Sequence, residues 1–107
     1  MINFKSLELL HESKVVPEPI FRSIELMHQF VNSLITGNAD WDEVKFVSDE
    51  VQAIYNAAYA LYCEDFIKQY VWVIVRDSIK EFIDMFDRIC NDNKVLSGNW
   101  EWTKCLL

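Results

Sequence analysis

From Asn38 to Ser97 the chain contains neither glycine nor proline, and apolar residues recur through that stretch at helical spacing. Glycine and proline punctuate strands, tight turns and phosphate-cradling loops. A segment of this length without either is built to make long packed helices. It also excludes whole classes of chemistry. With Gly37 and Gly98 the only glycines, the chain can hold no GxGxxG fingerprint, no P-loop and no GxSxG elbow.

The periodicity predicts four helices. The first, over about 3–13, places Phe4, Leu7 and Leu10 on one face, with Lys5, Glu8 and Glu12 elsewhere. Val15-Val16-Pro17-Glu18-Pro19 leaves the helical region, because a residue before proline is pushed toward extended geometry. This stretch, 15–19, reads as a stiff linker or hinge. Pro19 suits the first turn of a second helix over about 19–36, where its missing N–H costs nothing. Ile20, Ile24, Met27, Val31 and Leu34 form its apolar stripe, and Gly37 stands where a left-handed cap is expected.

Asp40 and Glu43 have the spacing of a capping box at the start of a third helix over about 41–62. Val44, Val47, Val51, Ile54, Ala58 and Leu61 repeat with heptad-like steps, and Tyr55, Tyr59 and Tyr62 add a second stripe beside them. A face that wide predicts a helix central to the bundle. The fourth helix, over about 65–91, continues one stripe through Ile67, Val71, Ile74, Phe82, Met85 and Ile89. Its first half should be buried nearly all round. The β-branched and aromatic run at 70–75 leaves an α+β alternative, in which that run pairs with the tail as a small sheet. Ser78 and Glu81, spaced as a second capping box, would fit such a break. The expected fold class is therefore all-α, a single helical domain over 1–107 with residues 92–107 as a docked C-terminal tail.

Composition sets the compartment and the partners. At 51% hydrophobic and 25% charged, the chain can bury one core and is not disordered by composition. Seventeen acidic against ten basic residues give a net charge of −7. Such a field repels phosphate backbones, which disfavours direct nucleic-acid binding, and it speeds encounter with a basic protein. Lys5, Glu8 and Glu12 interrupt any apolar leader, and the uncharged run Gln69 to Val75 is far too short to span a membrane. A cytoplasmic protein with reduced thiols is expected. Cys63, Cys90 and Cys105 form no CxxC and cannot all pair within one chain. Cys63 and Cys90 read as small core fillers.

Catalytic and metal-binding constellations are hard to assemble. His11 and His28 are the only histidines, and His28, beside Met27, reads as a partly exposed helix residue. Cys63 has no histidine near it in sequence, so a nucleophilic role needs a partner assembled by the fold. Asn38, Asp40 and Asp42 alternate like the start of a calcium loop, but Glu43 replaces the glycine that loop requires and Lys45 adds an opposing charge. Helix capping accounts for the same carboxylates. No cofactor and no metal is expected. The series Asp77, Glu81 and Asp84 follows one helix face, with Lys80 and Arg88 interleaved.

The more specific pattern is acid beside aromatic. Asp40, Trp41, Asp42, Glu43, Asp49 and Glu50 gather at the start of the third helix, and Trp100-Glu101-Trp102 repeats the mixture in the tail. Interface energy concentrates in such rings while charge steers the approach. Trp41 and Trp72 also suit a role in covering the end of the core. The expected function is a non-catalytic acidic binding module that occludes a basic partner, in the manner of a small immunity protein, antitoxin or phage-encoded inhibitor of a nuclease toxin. Two other readings stand beside it: a structural subunit sealed as a homodimer by the tyrosine stripe or the heptad, and a small enzyme or ligand-binding bundle using Cys63 or Cys90.

Overall fold

A computed structural model describes residues 2–37 and 44–92 and places four helices among them: α1 (Ile2–Glu12), α2 (Glu18–Ile35), α3 (Val44–Cys63) and α4 (Gln69–Asp92). The described residues form an all-α bundle. Residues 70–75 are helical, within α4, so the α+β alternative is overturned. The apolar stripe that continues past this run outweighs its strand propensity, since burying a helical face is worth more than the small intrinsic preference. Ser78, offered as the start of a separate helix, is fully buried inside a continuous α4. The tail beyond Asp92 lies outside the described residues.

Three left-handed residues end three helices. Lys14 has φ 61°, Gly37 φ 76° and Asp65 φ 64°. After α1, the Val15 N–H donates to the Leu10 carbonyl at 3.2 Å and the Lys14 N–H to that of His11 at 3.0 Å. After α3, the Phe66 N–H donates to the Leu61 carbonyl at 2.9 Å and the Asp65 N–H to that of Tyr62 at 3.1 Å. Both are Schellman caps, which satisfy carbonyls that the helix end would otherwise orphan. Asp65 therefore does the work expected of glycine, and α4 starts at Gln69, four residues later than its periodicity suggests. Pro19 sits in the first turn of α2 as expected, with the Pro17 carbonyl accepting from the N–H groups of Ile20 and Phe21, both at 3.1 Å. At the other end Thr36 Oγ1 donates to the Asn32 carbonyl at 3.1 Å.

The central helix is α4, which packs against α1, α2 and α3. It buries Val71, Trp72, Val75, Ile79, Phe82, Ile83, Phe86 and Cys90, and none of its residues from Val71 to Ile83 is fully exposed. This corrects the expectation that α3 holds the centre. Of the described α3 side chains only Val51 and Ala58 are buried, while Val47, Ile54 and Leu61 are partly covered. The tyrosine stripe widens the apolar face of α3 without burying it, because all three rings close on a single residue, Trp72. Each large side chain buried completely, such as Leu7, Ile24, Ile79, Phe82 or Phe86, contributes about 1.5–3 kcal/mol by leaving water. Val16, in the connection between α1 and α2, is buried in the same core. No helix among the described residues is long and apolar enough to cross a membrane.

Candidate protein-binding surfaces

Of the residues singled out in the sequence, Asp40, Trp41, Asp42, Glu43, Trp100, Glu101 and Trp102 lie outside the described residues. Asp49 and Glu50 lie within them, both exposed on the first half of α3. Glu50 is at the edge of a groove of about 320 Å³ between α2 and α3, lined by Ser23, Leu26, Met27 and Phe30 from one helix and Val47, Glu50 and Ile54 from the other. Apolar side chains dominate it. Leu26 is 63% exposed, although it sits one residue before the buried Met27. The acid-beside-aromatic pattern read at Trp41, Trp100 and Trp102 falls outside the described residues; within them, Leu26 and Phe30 are the apolar side chains that share a groove with a carboxylate. Sequence reasoning missed Leu26 because it falls off the main stripe of α2, and an isolated exposed leucine carries no periodic signal.

On the opposite edge of α3 the helical spacing turns Tyr55, Tyr59 and Tyr62 toward α4. There they surround Trp72, with centroid separations of 5.5, 5.5 and 5.7 Å. Tyr62 stacks on the indole at an interplanar angle of 6°, and the other two approach it edge-on at 61°. Such contacts follow the quadrupoles of the rings and add about 0.5–1.5 kcal/mol each beyond area burial. Trp72 is buried as expected, whereas Tyr59 remains 49% exposed. Hydrogen bonding with Cys63, and then the charge of that thiol, hold the Tyr59 hydroxyl above its ordinary range.

The two described cysteines divide. Cys90 is a core filler as expected, and burial, followed by the nearby charge of Asp87, pushes its thiol up. Cys63 is exposed, which corrects its reading as a core residue: it ends α3, past the buried Val51 and Ala58. His28 is also corrected. It is 3% exposed, because it stands four residues after Ile24 and seven after Phe21, on the widened stripe of α2. Those two spacings were the available signal.

Charged groups elsewhere are spent on local pairing. Arg22 Nε donates to Glu18 Oε1 at 2.8 Å and Nη1 to Glu25 Oε1 at 2.9 Å, while His11 Nε2 pairs with Glu18 Oε2. The His11 hydrogen bond, before any other cause, holds the Glu18 carboxyl below its ordinary value. On α4, Asp77, Lys80, Glu81 and Asp84 line a shallow depression, and Asp77 also accepts from Arg76 Nε at 3.2 Å. Among the described residues no group of three or more His, Cys, Asp or Glu side chains could hold a metal ion. What the arrangement offers is contact: an apolar groove that includes Glu50 on one flank of α3, and a half-open tyrosine edge on the other. Comparison with known proteins finds no match, whether among protein families, curated proteins or solved structures.

Proposed function

We propose that the chain is a non-catalytic binding module that neutralises a basic partner protein by occlusion, the class that includes immunity proteins, antitoxins and phage-encoded inhibitors of nuclease toxins. The observation that carries this reading is the α2–α3 groove, where the exposed Leu26 and the half-covered Phe30 lie beside Glu50 on a chain of net charge −7. An apolar centre with an acidic edge fits a basic partner in two ways. Long-range charge raises the rate of encounter, and desolvated apolar anchors slow dissociation. Asp49, exposed and next to Glu50 in sequence, adds to the local negative charge, and Asp40 to Glu43 precede it in sequence. The carboxylates would compete for cationic side chains that otherwise hold phosphate.

Photocrosslinking tests it. A photoreactive side chain at Leu26 should capture a basic protein from a host lysate at low salt, and the same group at Leu9, equally exposed on α1, should not. Capture of the same proteins from both positions, or only of acidic ones, would remove the reading.

One observation favours a second account. The half-exposed Tyr59 at the edge of the Trp72 cluster would suit a two-fold contact between copies of the chain. Light scattering over a concentration series separates the two. The binding-module account expects a monomer throughout, and the structural account a concentration-dependent dimer.

A further inference from the structure

Both histidines of the chain lie in the seam between α1 and α2, in one continuous series of rings. His11 stacks on Phe21 at 3.9 Å and 8°, Phe21 on Phe4 at 6.2 Å and 4°, and Phe4 on His28 at 4.4 Å and 28°. The series reaches α4 where His28 meets the edge of Phe82, 5.8 Å away at 67°. The rings alternate between helices: His11 and Phe4 come from α1, Phe21 and His28 from α2. At the outer end Arg22 lies over Phe21, 5.4 Å from its centroid.

The two imidazoles are in opposite situations. His11 is partly exposed, and the Glu18 carboxylate meets its Nε2. His28 is buried, and neither of its ring nitrogens has a hydrogen-bonding partner among the described residues. A charge on that ring would sit between Phe4 and Phe82, with the Glu81 carboxylate and the Ser78 carbonyl of α4 offsetting its burial only in part.

We propose that this stack is an acid-sensitive latch, in which protonation of His28 releases α1 from α2 and α4. The inference is independent of the binding reading. Phe4 covers the imidazole face, so a ring that must reach water to carry its charge has to displace α1 first. Among the described residues α1 is also anchored by Leu7, fully buried, by Phe4 and Leu10, partly covered, and by His11 on Phe21 and Glu18. Its link to α2 turns at the left-handed Lys14.

The charges around His28 set the direction. Burial is the largest influence and lowers its proton affinity. From α4 the Glu81 carboxylate, and then the Ser78 carbonyl, oppose this in part, while the positive amino end of the chain, on the α1 side, reinforces it. No hydrogen bond joins Glu81 to the imidazole. On α1, Lys5 and Glu8 are exposed, and on α2 Arg22 and Glu25 pair with each other. Because the folded ring binds its proton more weakly than a free one, the stability it confers is present above the ordinary value of 6.5. It is lost as the pH falls below that value.

Amide exchange followed by NMR on the full chain tests the latch, with rates expressed as protection factors to remove the intrinsic effect of pH. Between about pH 7.5 and about pH 5, protection of Leu7 and Leu10 in α1 should fall by roughly tenfold to thirtyfold. The upper figure is set by protonation of a released ring with an ordinary pKa. Val51 and Ala58 in α3 should keep theirs. In His28→Phe, which preserves the stack and cannot titrate, α1 protection should be the same at both pH values. Unchanged α1 protection in the natural chain, parallel loss in α3, or the same loss in His28→Phe would each overturn the proposal. If His28→Phe does not fold, the Hε1 resonance of His28 in the natural chain decides. Its titration midpoint in the folded chain must lie below the ordinary value of 6.5, where the loss of α1 protection begins, and a midpoint at or above that value refutes the latch.

Discussion

Asp65 is the residue at which local chemistry and chain pattern diverge most clearly. It occupies a left-handed conformation, φ 64°, that costs a side-chain-bearing residue about 1 kcal/mol relative to glycine. Asp65→Gly should therefore stabilise the protein by about 0.5–1 kcal/mol, read as a higher urea midpoint at unchanged slope. Lys14→Gly, at φ 61°, should behave alike. The cysteines give a second residue-scale test. In a Cys105→Ser background, exposed Cys63 should react with a thiol reagent at least about a hundredfold faster than buried Cys90, which should await unfolding. A fast Cys90 would show that the core around it opens readily, and would revive the reading that places chemistry there. These residues also show where sequence falls short. Cys63 and Cys90 have similar apolar neighbours in the chain, and only the turn of each helix on its partners separates them.

At the scale of the element, α2 was legible at both ends because proline and glycine have strong local preferences: Pro19 opens it and Gly37 closes it. The break between α3 and α4 was located only approximately, since its left-handed residue is an aspartate and carries no comparable signal. The stripe read for α4 found Val71 and Phe82 in the core, whereas Ile74, Met85 and Ile89 are only partly covered, and the central place of the helix was not readable. Periodicity gives the width of an apolar face and leaves open what covers it; the tyrosines of α3 made a wide face that packs only at its edge. For the candidate site less was legible: of Asp49 and Glu50, the two marked residues among those described, the groove uses Glu50 alone, and while Met27, Val47 and Ile54 belong to the predicted stripes, Leu26 and Phe30 lie off them. Paired substitutions in and near α4 check this packing. Phe82→Ala should cost about 3–5 kcal/mol, a large share of the stability of a small domain. Phe66→Ala, in the α3–α4 turn with its ring 71% exposed, should change the urea midpoint little.

Taken whole, the molecule combines one interior organised on α4 with a surface that is acidic overall and apolar in a few places. Copies of a body with net charge −7 repel one another at low salt, while a basic chain is drawn in. The groove beside Glu50 then gives such a partner something to bury. The central claim is that charge steers this encounter, and the ionic-strength dependence of the association rate tests it most directly. For the basic protein captured at Leu26, the rate should fall by about tenfold or more from low to physiological salt, and Asp49→Asn with Glu50→Gln should flatten that dependence. A rate indifferent to salt, or a slope unchanged when those two carboxylates are neutralised, would contradict the account.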